Sequence, residues 1–334
     1  MLVSICIPVF NMEGCIERCI KSALAQTYQD IEIIVTDNQS IDRTYDIARL
    51  IKDSRLCVVR NEKNLGAYGN HNRCLEIARG EWVKFLHGDD ELLPNCIFQM
   101  AESLKKCPEN LALMGCGAIV YDQDNLESQR TFVPSEIFVM KAAQIREFAM
   151  EGNFFGTPTM TLVHRNSILR VGGFDLAMEP ASDGDCWISL RRNYPSAYLP
   201  IHLVIIRDDP SQGRAKNIKE NERFCEHIFR QVKKWYSLDK ELVVKPLRET
   251  FYGEWLCYEA FRFWDLALYN LARGHIGIFH VLWRELGNQR LRARSFLFYA
   301  KSRLTLRSSV NFRRQPWPVA LSHLKIYNDT KFVY

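Results

Sequence analysis

The sequence predicts an α/β protein: a mostly parallel sheet with helices on both faces, followed by a separate helical region. Apolar, β-branched runs alternate with stretches of helical periodicity over roughly the first 110 residues, and the connections between them are short. Such alternation is the pattern of parallel strands joined by crossover helices. Past about residue 212 the texture changes, becoming helical, basic and rich in Trp, Phe and Tyr.

Taken in order, "LVSICIPVF" (2–10) reads as a buried strand, and Ile16, Ile20, Ala23 and Leu24 then fall at helical spacing. "IEIIVTD" (31–37) is a second buried strand, and "DRTYDIARLI" (42–51) a helix capped by Ser40 or Asp42. "RLCVVRN" (55–61) is a third strand and "HNRCLEIA" (71–78) is helical. "EWVKFLHGDD" (81–90) is a fourth strand running into two carboxylates, and Pro94 opens a helix over 94–107. Beyond it, "LALMGCGAIVYD", "PTMTLVHR" and "AYLPIHLVII" read as strands. "GGFD" (172–175) reads as a turn, and "DGDCWISLRRN" (183–193) as a helix opened by two carboxylates.

Composition narrows the class. A chain of 334 residues, 47% hydrophobic and 25% charged, has the make-up of a globular protein with one to three domains. No apolar run approaches the roughly 18 residues needed to span a bilayer. The opening residues lack the basic start of a signal peptide. Eleven cysteines without a C-x-x-C pair read as reduced thiols of a cytoplasmic protein. The net charge of +5 is unevenly placed: residues 213–334 carry 23 Lys and Arg against 11 Asp and Glu, whereas residues 1–212 are net acidic.

In a sheet of this kind ligands bind outside the carboxyl ends of the strands. Phe10 with Asn11, Asp37 with Asn38, Asn61, and Asp89 with Asp90 all fall at such ends and are expected to meet in one crevice. Adjacent carboxylates in "FLHGDDELLP" admit two readings. They cap the following helix, or they supply hard oxygens to Mg²⁺ or Mn²⁺, which in turn neutralises a diphosphate.

The ordered set "VSICIPVFN", "SALAQTYQDIEIIVTDNQSIDRT", "NLGAYGNHNRCLEIARGEWVKFLHGDD" and "VGGFD…SDGDCWISLRR" resembles glycosyltransferase family 2, the inverting, nucleotide-sugar-dependent group with the Rossmann-like GT-A fold. The resemblance covers about residues 1–212 and is strongest to bacterial surface-polysaccharide enzymes. It implies a catalytic domain over 1–212, with a nucleotide-binding part (1–110) and an acceptor-side part (111–212). A basic, helical, aromatic-rich region would follow over 213–334. It implies Pro8, Val9 and Phe10 around the nucleobase, Asp37 as acceptor for the base N–H, and Asn64, His71 and Asp89 in the donor site. Asp90 and Asp89 would hold the metal, Mn²⁺ or Mg²⁺. Asp183 is implied as general base, with Asp185 second for that role. His87 stands where many members carry the first acid of an Asp-x-Asp motif, and it is not assigned as a ligand. Two further departures are His71, where the family usually has an Arg, and Asp209, where many members have a His.

The implied partners are a nucleotide-diphosphate sugar, a UDP-sugar by the base contact, and a glycan or lipid-linked acceptor. No Asp or Glu occurs from 286 to 328, where arginines and lysines interleave with apolar and aromatic residues. That stretch suits peripheral contact with an anionic membrane at the inner face of the cell, or a helical cap with solvated arginines. No nucleic-acid module is present. The rival readings are a Mg²⁺-dependent phospho- or nucleotidyltransferase using the same aspartates, and a catalytically degenerate glycan- or membrane-binding protein.

Overall fold

The computed structural model describes residues 1–121, 127–131, 133–142, 155–179 and 181–207, with Glu226, Arg230 and Lys234. The chain divides into two compact units. One comprises Met1–Lys216 with Lys233–Trp235, the other Asn217–Val232 with Tyr236–Tyr334. The architecture below belongs to the first.

Strands β1 (Val3–Val9) and β2 (Ile31–Asp37) are buried at every position, which is why their sequences are continuously apolar instead of alternating. They pair in parallel with each other, β2 with β3 (Leu56–Arg60), and β1 with β4 (Trp82–Phe85). Helices α1 (Ile16–Leu24), α2 (Thr44–Leu50) and α3 (Ala67–Ile77) make the crossovers. In α1 the buried face is Ile16, Cys19, Ile20 and Ala23, the spacing expected of one helical stripe.

The second half of the sheet is mixed. The whole sheet has the order β3-β2-β1-β4-β9 (Thr161–His164)-β6 (Leu113–Tyr121)-β10 (Ser196–Arg207)-β5 (Glu91–Leu92), with β7 (Glu127–Arg130) on β6 and β8 (Phe138–Met140) on β10. Strand β9 (Thr161–His164) is antiparallel to both β4 and β6 (Leu113–Tyr121). It follows a short 3₁₀ turn at Pro158–Met160. The long strand β10 (Ser196–Arg207) runs parallel to β6, and the two-residue β5 (Glu91–Leu92) caps it from the other side.

Three boundaries differ from the sequence reading, each for a local reason. Strand β4 stops at Phe85, because residues 87–90 close a turn in which the Asp90 N–H donates to the His87 carbonyl at 3.0 Å. Helix α4 (Cys96–Leu104) begins two residues beyond Pro94, whose carbonyl accepts from Thr27 N–H at 2.9 Å. Helix α3 begins at Ala67 instead of 71, because Gly66 takes a φ of 77° that reverses the chain just before it.

Nine cysteines are described, all free thiols, and seven of them are buried. Among the described residues no helix is long and apolar enough to cross a membrane. The basic run 286–328 and Asp209 lie outside the described residues.

Candidate active site

The parallel registers set Val9, Asp37 and Arg60 side by side at the carboxyl edge of β1, β2 and β3. Asp37 is wholly buried there. Its Oδ2 accepts from Arg60 Nε and from the Ser40 N–H, both at 3.2 Å, while its Oδ1 has no hydrogen-bond partner. A buried carboxylate oxygen left unpaired is costly, and such atoms gather where a ligand donor belongs. Of the three residues expected around the nucleobase, Pro8 and Val9 are buried in β1 and Phe10 alone is exposed, at 41%. The flanking Asn11 and Gln39 adopt left-handed backbone, φ 54° and 63°, which non-glycine residues hold only where surrounding contacts impose it. Here the contacts are mutual: Asn11 N–H donates to Ser40 Oγ and Ile41 N–H to Asn11 Oδ1, both at 2.9 Å.

Asparagines brace the strand ends. Asn38 Nδ2 donates to Asn64 Oδ1 at 2.9 Å and to the Gly66 carbonyl at 3.0 Å, and Asn61 Nδ2 bridges Asn38 and Asn70. Asn64 also accepts from the Gly66 N–H at 2.9 Å, so its side-chain oxygen shapes the 61–66 loop.

On the other side of β1, ligand atoms of His87, Asp89 and Asp90 lie within 4.8 Å of one another. Gly88 between them is required by packing, since a Cβ there would stand 2.9 Å from Val9 Cγ1. Asp90 is only 3% exposed. Its Oδ2 accepts from Thr159 Oγ1 at 2.6 Å and its Oδ1 from the Arg207 N–H at 3.2 Å. Burial, with the neighbouring Asp89 charge, pushes the Asp90 carboxyl up to about 8 against the opposing pull of those hydrogen bonds and Lys84. Lys84, fully buried in β4, donates to the Thr159 carbonyl at 2.5 Å. Thr159 is therefore a hub, holding Lys84 through its carbonyl, Asp90 through its hydroxyl proton, and the His87 N–H at 3.1 Å through its hydroxyl oxygen. A buried, crowded carboxylate next to a second one, with an imidazole beside them, is a donor set that fits a divalent cation.

Helix α3 joins this edge to the segment that carries Asp183. Asn72 clamps the "GGFD" turn through paired 2.9 Å bonds to the Phe174 N–H and carbonyl. Gly173 (φ 68°) is needed there, because a Cβ would fall 2.6 Å from Asn72 Oδ1. The Glu179 carboxylate accepts from the Ala67 N–H at 3.4 Å, at the positive end of α3.

Asp183 and Asp185 sit in the first turn of the helix Ser182–Asn193 and have different surroundings. Asp185 is buried and ion-paired to Lys234 at 2.7 Å, and the same ammonium reaches Asp175 at 3.2 Å. Asp183 is only half-buried. Its Oδ1 accepts from the Gly184 N–H at 2.7 Å, and it hydrogen-bonds with Tyr68, whose phenol is pushed far up by burial and then by the Asp183 charge. Burial lowers the His87 pKa against the pull of two carboxylates, Asp89 and Asp183, so the two ends of the site lie within electrostatic reach. Thr159, Lys84, Tyr68 and Lys234 join the site in the structure without standing out in the sequence. A lone lysine inside the apolar run "WVKF" was the one visible signal.

The chain has known relatives in sequence and in fold. The family model of glycosyl transferase family 2 matches residues 4–172. The Escherichia coli protein WfaP, a UDP-Glc:alpha-D-GlcNAc-diphosphoundecaprenol beta-1,3-glucosyltransferase, is 46% identical over 89 residues, 27% of this chain and 36% of its own length. The GalNAc(5)-diNAcBac-PP-undecaprenol beta-1,3-glucosyltransferase of Campylobacter jejuni is 27% identical over 226 residues, 64% of this chain and 69% of that one. The crystal structure of S. aureus TarS 1-349 in complex with UDP-GlcNAc shares the fold, with a TM-score of 0.66 at 16% identity over 90% of this chain and 88% of that one.

Proposed function

This chain belongs to glycosyl transferase family 2 and is a glycosyltransferase, and from that premise we propose that it moves a sugar, with inversion, from a UDP-sugar to a hydroxyl of a lipid-linked glycan in bacterial surface-polysaccharide synthesis. The observation that carries the reading is the clustering of the His87, Asp89 and Asp90 ligand atoms at the strand ends, with Asp183 within electrostatic reach of His87.

Each residue has a task. Asp37 Oδ1, buried and unpartnered, accepts the N–H of a uracil ring. Phe10 lies beside that entry. Asp90 and Asp89 hold Mn²⁺ or Mg²⁺, which when bound would neutralise the departing diphosphate. Asp183 takes the acceptor hydroxyl proton as the oxygen attacks the anomeric carbon from the face opposite the diphosphate, and Tyr68 steadies its carboxylate. Asp185, tied to Lys234, anchors the helix start. Residues 1–212 form the catalytic part in this reading. Residues 213–334, with their excess of Lys and Arg, seat it on an anionic membrane at the inner face.

Two relatives, whose names specify acceptors ending in undecaprenol diphosphate, support the lipid-linked acceptor, and the TarS complex supports a UDP-sugar donor. Calorimetry of UDP, GDP and CDP with and without Mn²⁺ tests the donor half of the reading. UDP binding that is tighter than the others and metal-dependent is expected, and equal, metal-independent binding of all three contradicts it.

A further inference from the structure

Positions 71 and 87, both departures from the family pattern, are in direct contact. The two imidazoles meet through their Nε2 atoms at 3.3 Å, with the rings edge to face at 86°. Their other nitrogens decide which one carries the shared hydrogen. His71 Nδ1 lies 2.9 Å from the Ala67 carbonyl oxygen, which can only accept, so that nitrogen bears a hydrogen.

His71 is 6% exposed and packed among the rings of Tyr68, Phe85 and Phe174, with centroids 5.3–5.4 Å away. A ring enclosed by aromatic side chains, with its one N–H directed at a carbonyl oxygen, is the neutral tautomer whose Nε2 is a bare lone pair. The hydrogen between the rings therefore belongs to His87 Nε2. A neutral imidazole has one N–H, which leaves His87 Nδ1 as a lone pair.

That lone pair faces Asp90 Oδ2 at 3.8 Å, too far for a hydrogen bond. Asp90 Oδ2 already receives the Thr159 hydroxyl proton. The imidazole lone pair and the Asp90 oxygen thus converge on one gap, with Asp89 at its edge, where a cation that displaces the Asp90 proton would be held by all three. We propose that His87 ligates the divalent cation through Nδ1, and that His71 is a positioning residue that fixes the His87 tautomer and ring. It rests on the metal site of the proposed function and adds a nitrogen to a donor set otherwise made of oxygens.

The addition has a consequence for metal choice. Oxygen ligands suit Mg²⁺, whereas imidazole favours transition ions, so the site selects Mn²⁺ over Mg²⁺. The chain Ala67–His71–His87 does what a carbonyl or carboxylate behind a metal-bound histidine does elsewhere: it orients the ring and raises its basicity.

The test loads the full-length protein with Mn²⁺ alone and records electron spin-echo modulation, which detects a directly bound nitrogen without any turnover. Wild type is expected to show nitrogen modulation. His87→Asp is expected to keep bound Mn²⁺, lose the modulation and bind Mg²⁺ better relative to Mn²⁺. His71→Leu is expected to lose about 10- to 100-fold in Mn²⁺ affinity. His71→Gln, whose side-chain carbonyl can accept the His87 Nε2–H, is expected to recover most of it. Mn²⁺ bound to wild type without nitrogen modulation overturns the ligand assignment alone, and failure of the wild type to bind Mn²⁺ overturns the metal site beneath it as well. Should His71→Leu not fold, the wild-type and His87→Asp spectra still decide.

Discussion

Thr159 Oγ1 donates a 2.6 Å hydrogen bond to Asp90 Oδ2, and the same hydroxyl accepts the His87 N–H at 3.1 Å. One side chain from the turn before β9 therefore fixes two of the three groups of the metal site. Thr159→Val keeps the shape and removes the hydroxyl. Mn²⁺ affinity by calorimetry should fall about 10- to 100-fold, and stability should drop by about 1–3 kcal/mol for the acceptors and donors left unpaired. Thr159→Ser should restore both. Unchanged metal affinity in the valine variant would remove Thr159 from the site.

Asp90 gives the metal-free protein a pH signature. Its carboxyl is pushed from 3.8 up to about 8, so between those values the folded state keeps a proton that the unfolded state has released. Stability of the metal-free protein contributed by this group is thus present at low pH and lost as pH rises through that window. Mn²⁺ must displace the same proton, so its apparent affinity rises with pH until about pH 8. Calorimetry near neutral pH in two buffers of different ionisation enthalpy should show about one proton released per Mn²⁺ bound. Proton release should vanish in Asp90→Asn along with tight binding.

Asp185 and Lys234 are paired at 2.7 Å, with Asp185 buried. Asp185→Asn should therefore lower the melting temperature, by about 1–3 kcal/mol of stability, while leaving UDP affinity unchanged. A variant with wild-type stability and no transfer activity would make Asp185, not Asp183, the base.

Asp37 offers its unpartnered Oδ1 to the nucleobase. Asp37→Asn replaces a charged acceptor by a neutral amide, and the UDP dissociation constant should rise about 10- to 100-fold, the worth of a hydrogen bond to a charged group. An unchanged constant by calorimetry would move the base elsewhere.

The parallel half of the sheet was legible because β1 and β2 are buried on both faces and write that burial as unbroken apolar runs. The strand-end rule then brought Asp37, Asn38, Asn61 and the 87–90 turn to one edge. The antiparallel insertion of β9 was not legible. "PTMTLVHR" carries the strand but nothing about its direction, which depends on its pairing with β4 and β6 far away in sequence. Nor was Thr159, whose importance comes from contacts 69 and 72 residues away in sequence. His87 and His71 were visible one at a time as departures; that they touch depends on where α3 lies against β4. Asp183 and Asp185 looked alike in "SDGDCW", and only Lys234, far along the chain, separates them.

The most direct test is metal-dependent turnover with an acceptor present, in wild type and Asp183→Asn. Purified full-length protein is incubated with UDP-sugars, Mn²⁺ and undecaprenyl-diphosphate-linked sugars, and released UDP and extended acceptor are both measured. Wild type should release UDP and extend the acceptor only with metal present. Asp183→Asn should bind UDP normally and transfer at least about 10²-fold more slowly, the share of the rate a positioned general base supplies. Transfer by Asp183→Asn at the wild-type rate, or turnover by wild type in EDTA, would contradict the account.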